Sequence, residues 1–173
     1  MKEFWDFNEN INFSIIKGYK VLNIYPNLAE AAGVLDELKF ITYRSFISIH
    51  HSEKITPEIK LLLNTSFRLQ EMQLEEIQGR VVFEGLNKPK GIYSKKGSSS
   101  IGKDGNLRAA YRVIFLTLRN KNGKIKKKEN LLPLLSHELA HTALNHVRWR
   151  DDDHGKTFND LDKLILKHLR LNI

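Results

Sequence analysis

The stretch ENLLPLLSHELAHTALNHV, from Glu129 to Val147, carries apolar residues on nearly every side of a helical projection. A helix with that pattern belongs in the interior of a protein, so we expect the other elements to pack around it. Asn130 is predicted to cap this helix, which makes Pro133 its third residue. The missing N–H of proline costs no hydrogen bond there, because the first N–H groups of a helix have no partner within it.

Helical stretches also lie before and after this central helix. NLAEAAGVLDELKFI is predicted to be a helix capped by Asn27, and TPEIKLLLNTSFRLQEMQL a second one, with Thr56 as its cap and Pro57 as its first residue. KTFNDLDKLILKHLRL is predicted to form a last amphipathic helix. At the start of the chain, INFSIIKGYKVLNIY is expected to be an early strand or an arm.

The strands predicted between these helices are short. GRVVFEGL and GIYSKK are expected to be strands separated by NKPK, and YRVIFLTLR, from Tyr111 to Arg119, is the strongest strand. Within it, Tyr111–Leu118 is either an edge strand that pairs with an extended peptide or an ordinary core strand. Asn122 and Gly123 predict a hairpin turn, with KIKKK as the return strand. The order of elements predicts an α+β fold with N-terminal helices, a small, largely antiparallel sheet and a C-terminal helix.

The composition narrows the class of protein. The length of 173 residues predicts one domain, spanning residues 1–173. The chain has no cysteine, which excludes disulfides and cysteine-ligated zinc. It also has no signal-like N-terminal run and no span of about 20 apolar residues, which predicts an intracellular protein without a membrane helix. The net charge of +8 and the basic clusters KPKGIYSKK and KNGKIKKK favour a polyanionic partner such as DNA, with solubility as the alternative.

The central helix contains the pattern H-E-x-x-H, formed by His137, Glu138 and His141. Residues four apart lie about 40° apart around a helix, so both imidazoles are able to reach one metal ion. Glu138 lies beside them and is expected to accept a proton from a metal-activated water. Two surface histidines on a helix are the simpler alternative.

A catalytic zinc site needs a third protein ligand, and the sequence offers His146 and His154. In a continuing helix, His146 lies about 180° around from His137 and points away from the metal. His154 follows a polar loop and precedes Gly155, so it is the predicted third ligand. The run Asp151–Asp153 is either a solvated loop or the source of a carboxylate that orients a metal-binding ring.

The motifs LLSHELAH and DDDHGKTFNDL resemble the SprT-like and WLM group of zinc peptidases, which includes the Spartan-type proteases. In that group, a third zinc-binding histidine and then an aromatic residue follow the H-E-x-x-H helix. The positions that match this pattern are His137, Glu138, His141, His154 and Phe158. The resemblance covers about Tyr111 to Leu164. It implies a zincin-like fold, one zinc ion per chain, Glu138 as general base, hydrolysis of peptide bonds and action on proteins crosslinked to DNA.

Two other functions compete with this interpretation. The motif helix also resembles that of the regulator-cleaving zinc peptidases of phage and stress systems, which take a downstream glutamate as third ligand. No glutamate follows Glu138 in this chain. The second alternative is a non-catalytic zinc site in a nucleic-acid-binding module. Such a site is closed by four protein ligands and needs no general base.

Overall fold

A computed structural model describes residues 13–66, 72–77, 85–90, 111–144 and 155–173. Two early strands, β1 and β2, precede a long helix, α1, and a short one, α2. Three strands then form a sheet, and two helices close the described part of the chain. The elements are β1 (Phe13–Ile16), β2 (Tyr19–Leu22), α1 (Leu28–His51), α2 (Pro57–Ser66), β3 (Gln73–Glu76), β4 (Gly85–Lys90), β5 (Tyr111–Leu116), α3 (Lys128–Ala143) and α4 (Lys156–Leu171). The predicted α+β class is confirmed.

The N-terminal strands form a tight antiparallel hairpin, with Ile16 opposite Tyr19. Its two turn residues, Lys17 and Gly18, have φ values of 51° and 86°. Positive φ at both central residues is the geometry that matches the twist of a two-residue hairpin. The segment was predicted to be either an early strand or an arm. The strand is confirmed, and the prediction of an arm is wrong.

The three-stranded sheet has the order β3-β5-β4. β5 pairs in parallel with β3 and antiparallel with β4, so both of its edges are occupied. The prediction that Tyr111–Leu118 is an edge strand is therefore wrong. The alternative of a core strand is confirmed, since Ile114 and Leu116 are completely buried. Apolar residues at these positions are equally compatible with a central or an edge strand, and only the pairing of β3 decides between them.

The position of β4 also differs from the prediction. The residues Asn87–Lys90, expected to connect two strands, belong to β4 itself and pair with Tyr111–Ile114. Pro89 lies within this strand. Because proline lacks an N–H, it is tolerated where the strand has a neighbour on only one side, and β4 is such an edge strand within the described sheet.

The helix α2 begins at Pro57, as predicted, but it ends earlier. Gln73 and Leu74, expected at the end of this helix, lie in β3 and pair with Val113 and Ile114. Leu74 is buried in the core. Pairing with β5 therefore overrides the local helical pattern, a common outcome for short apolar segments.

The turn after β5 is formed as Asn122 and Gly123 predict, with φ of 75° at Gly123. The return strand, however, is reduced to one bridge between Arg119 and Ile125. The amide of Lys126 still donates to the carbonyl of Leu118, at 2.7 Å. Helix α3 then begins at Lys128, so the return strand is not extended beyond this bridge.

The start of α3 differs from the prediction as well. The helix begins at Lys128, with Lys127 at the N-cap position, so Asn130 does not cap it and Pro133 is the sixth helical residue. The reason is visible in the backbone: the amides of Asn130 and Leu131 already donate to the carbonyl of Lys127, at 2.9 and 3.3 Å. Pro133 therefore removes one internal hydrogen bond from the helix.

The core surrounds α3, as its apolar pattern predicts. Six apolar side chains of α3 are completely buried: Leu131, Leu132, Leu135, Leu139, Ala140 and Ala143. The helix packs against α4, β4 and β5, while α1 packs across β2, β3 and α4. Among the described helices, none is both long enough and apolar enough to cross a membrane.

Candidate metal centre

The two histidines of the H-E-x-x-H pattern meet on one side of α3. The Nε2 atoms of His137 and His141 are 3.1 Å apart, and the ring planes are nearly perpendicular, at 84°. The buried leucines and alanines of α3 fix how the helix is rotated about its axis. That rotation directs residues 137 and 141 together toward α4. The predicted convergence of these two side chains is therefore present in the structure.

The separation of the two nitrogens can be compared with that in a zinc site. Two nitrogen ligands of a tetrahedral zinc, each about 2.0–2.1 Å from the ion, lie about 3.3–3.4 Å apart. The observed 3.1 Å is close to this value. Without a metal, the same separation corresponds to a hydrogen bond between two imidazoles, one donating and one accepting. The pair thus fits two of the ligand positions of a zinc ion.

Phe158 of α4 holds both rings from one side. Its ring centroid is 5.0 Å from that of His137 and 4.5 Å from that of His141. Only 2% of Phe158 is exposed. Contact with one rigid aromatic ring restricts the rotation of both imidazoles, so this side chain contributes to the geometry of the pair.

A hydrogen bond next to the motif ties the same two helices. The hydroxyl of Ser136, immediately before His137, donates to the Asp162 carboxylate and also approaches the carbonyl of Pro133 at 3.1 Å. Asp162 lies four residues after Phe158 and therefore on the same face of α4. Sequence reasoning did not identify this pair, because the contact depends on how the two helices dock.

Glu138 lies in a dry environment. Only 5% of the residue is exposed, and burial raises the pKa of its carboxyl to about 8. Its backbone carbonyl accepts a hydrogen bond from the Thr142 hydroxyl at 3.0 Å, so the helix is continuous at this point. A carboxylate with a raised pKa binds a proton more strongly than an exposed one, so once ionised it is the stronger proton acceptor.

The predicted third ligand, His154, lies outside the described residues, as do His146 and Asp151–Asp153. Within the described ranges, no group of three side chains is arranged to hold a metal ion. The described part of the chain therefore brings together two predicted ligands and places the predicted base, Glu138, in a buried position on the same helix. Gly155, the first described residue after this segment, occupies the N-cap position of α4, three residues before Phe158.

The resemblance to SprT-like and WLM peptidases rests on the motifs alone. Comparison of the chain with models of protein families, with curated proteins and with solved structures gives no match in any of the three.

Proposed function

We propose that the protein is a zinc-dependent endopeptidase. The observation that carries this proposal is the arrangement on α3. Two imidazole nitrogens converge to 3.1 Å, and a buried carboxyl with a raised pKa occupies the next position of the same helix. One rigid, buried element thus supplies two nitrogen ligands and a proton acceptor. Metal-assisted hydrolysis needs this combination.

Each residue has a defined task in this proposal. His137 and His141 bind the metal through Nε2, and His154 is the predicted third ligand. Zinc held there would supply a Lewis acid that lowers the pKa of a water molecule and polarises the scissile carbonyl. The Glu138 carboxylate takes the proton from the attacking water and passes it to the leaving amine. Phe158 keeps the two imidazoles in place through its ring contacts.

The edge strand β4 is the proposed support for an extended substrate. It packs against α3 and pairs with β5 on one side only within the described sheet. The backbone groups of an edge strand are able to bind the backbone of an extended peptide, which gives affinity with little dependence on sequence. Binding of an extended peptide was expected at Tyr111–Leu118. Because β5 lies in the centre of the sheet, we assign this role to β4, Gly85–Lys90.

A purely structural zinc site explains less of what is observed. Structural sites are closed by four protein ligands and need no base. Here Glu138, which directly follows His137 on α3, is buried at a cost in desolvation, and its raised pKa reflects that cost. Such a cost is typical of functional positions.

Cleavage of an unstructured protein such as casein by zinc-loaded protein tests the proposal. We expect Glu138→Gln to retain zinc and lose nearly all activity, and His137→Ala to lose both zinc and activity. His50→Ala, an exposed histidine on α1, is the control and should change neither. Activity that survives in Glu138→Gln would refute the assigned role of the base.

Adding single- or double-stranded DNA to the same assay tests the substrate class. The net charge of +8 and the basic clusters support an association with DNA, and such binding weakens as salt increases. If DNA stimulates cleavage at low salt and less at high salt, DNA-associated proteins remain the proposed substrates. If DNA has no effect at any salt concentration, the substrate class is wrong while the peptidase proposal stands.

A further inference from the structure

A pocket lies between the β1–β2 turn, α1 and β3. It encloses about 290 Å³. Its charged lining consists of Lys17 from the turn, Asp36 and Lys39 from α1 and Glu75 from β3. This volume is at the small end of the range for ligand sites, so the pocket suits a molecule the size of an amino acid.

Glu75 is the feature that distinguishes this pocket from an ordinary surface groove. Only 6% of the residue is exposed, and within the described structure its carboxylate makes no hydrogen bond and no ion pair. A carboxylate in a largely buried position normally has a partner, because removing its charge from water is unfavourable. The lysines that line the pocket do not approach Glu75 closely enough to pair with it.

The next residue of the same strand shows what a satisfied buried glutamate looks like. Glu76 Oε1 accepts a hydrogen bond from Arg119 Nε at 2.6 Å, and its Oε2 accepts one from the amide of Leu22 at 2.8 Å. Consecutive residues of a strand project to opposite faces. Glu76 therefore serves the fold on one face, while Glu75 lines a pocket on the other.

The charges of the lining indicate the chemistry of a ligand. Lys17 and Lys39 carry two positive charges and Asp36 and Glu75 two negative ones, so the pocket has no net charge. A simple cation would meet the two ammonium groups, and a simple anion the two carboxylates. A zwitterion matches both signs, with its cationic end at Glu75 and its anionic end at the lysines.

Tyr19 fixes one wall of the pocket. Its hydroxyl donates to Asp36 Oδ1 at 2.8 Å. Burial, and then the hydrogen bond and the charge of Asp36, raise the pKa of Tyr19 above its usual value. The phenol therefore stays protonated and keeps Asp36 in position on α1.

We propose that this pocket binds a free amino acid, with the α-ammonium on Glu75 and the α-carboxylate between Lys17 and Lys39. The site is separate from the pair on α3 and does not depend on the proposed peptidase activity. Lys17 supports the assignment. Its left-handed φ of 51° is a conformation that asparagine or glycine adopts at lower cost. A lysine at this turn position is therefore consistent with a role for its ammonium group in the pocket.

Thermal unfolding of two glutamine variants tests the burial argument. Glu75→Gln removes a charge that has no partner among the described residues and should raise the Tm of the ligand-free protein by about 2–4 °C. Glu76→Gln removes the partner of Arg119 and should lower the Tm. A decrease in Tm for Glu75→Gln would show that the carboxylate is already paired and would overturn the proposal.

Binding is tested by adding each standard amino acid at millimolar concentration to the full-length protein and recording Tm. At least one should raise the Tm of the wild type and of the exposed control Glu58→Gln, but not that of Glu75→Gln. The N-acetyl and amide derivatives of the best amino acid lack the ammonium and the carboxylate, respectively. Each should bind about tenfold more weakly or worse, since each loses a charge-assisted contact.

Inorganic phosphate and calcium chloride complete the test. Neither should bind, because each meets like charge in the pocket. Binding of either one without binding of any amino acid would contradict the proposal, as would the absence of any shift in the wild type. Lys17→Asn should relieve the hairpin turn and raise the Tm of the free protein while weakening amino-acid binding.

Discussion

Two buried carboxyl groups illustrate how local environment decides what a residue does. Glu76 is surrounded by donors, since Arg119 and the amide of Leu22 bind its two oxygens. Burial instead dominates at Glu138 and raises its pKa to about 8. Hydrogen bonds tie the Glu76 carboxylate to β2 and to Arg119, whereas burial without a cause that offsets it raises the pKa of Glu138.

The raised pKa of Glu138 predicts a pH-dependent cost in the metal-free protein. Because the folded-state pKa lies above the unfolded value of 4.5, the folded state holds the proton more tightly. The contribution of the Glu138 carboxyl to the free energy of unfolding is therefore greatest below about pH 4.5 and is lost as pH rises toward 8. Glu138→Gln removes this dependence, so its advantage over the wild type should grow by about 2–3 kcal/mol between pH 5 and pH 7.

Urea unfolding of both proteins in the presence of a chelator measures this difference. Glu129→Gln, an exposed substitution on the same helix, is the matched control. A difference between Glu138→Gln and wild type that stays constant with pH would contradict the assigned environment of Glu138.

Among the secondary-structure elements, α4 packs against α3 and contacts both histidines of the candidate metal centre. Phe158 packs on both imidazoles, and the Ser136 hydroxyl donates to Asp162 one turn further along α4. Both contacts lie on one face of α4, so docking of this helix positions the two predicted ligands. Mobility between α3 and α4 would separate the rings from the side chain that holds them.

Asp162→Ala should lower the free energy of unfolding by about 1 kcal/mol, because the Ser136 hydroxyl loses its carboxylate partner but keeps the Pro133 carbonyl. Asp160→Ala, an exposed change on the same helix, should stay within about 0.5 kcal/mol of wild type. Chemical denaturation measures both. Equal values for the two variants would show that the Ser136–Asp162 hydrogen bond contributes no stability.

Elements with strong local signals were predictable from the sequence. KTFNDLDKLILKHLRL has the bounds of α4, and the apolar residues of α3 indicated that it is buried. The i, i+4 spacing also predicted that His137 and His141 meet, because helix geometry alone determines it.

Errors in the predicted fold arose where pairing with a distant segment determines the structure. The central place of β5 depends on β3, which is far away in sequence, and the strand conformation of Asn87–Lys90 depends on pairing with β5. Contacts such as Ser136–Asp162 likewise depend on how two helices dock.

At the scale of the whole molecule, Arg119 connects segments that are distant in sequence. Its guanidinium binds Glu76 of β3 and Asn27 at the start of α1, donates to the Gly123 carbonyl at 3.2 Å, and lies 4.2 Å from the centroid of the Tyr25 ring. Asn27 occupies the N-cap position of α1, yet its side chain does not cap the helix, because its amide donates to Glu30 and its oxygen accepts from Arg119. The side chain of Asn27, which was predicted to cap α1, thus takes part in a long-range contact instead.

Arg119→Met should lower the free energy of unfolding by about 3–5 kcal/mol, since it leaves the Glu76 carboxylate buried without its cation. The double variant Arg119→Met with Glu76→Leu should recover part of this loss, because no uncompensated charge remains. Urea denaturation of the two variants gives both values. A small effect in the single variant would show that Arg119 does not hold these segments together.

We propose that the imidazoles of α3 form part of a zinc site, and calorimetric titration of the metal-free protein with zinc tests this proposal. We predict one zinc ion bound per chain, with binding lost or strongly weakened in His137→Ala and His141→Ala and unchanged in His51→Ala, an exposed histidine on α1. His154→Ala should weaken binding as well. The absence of stoichiometric binding in the wild type, or full binding by the His137→Ala and His141→Ala variants, would contradict the account.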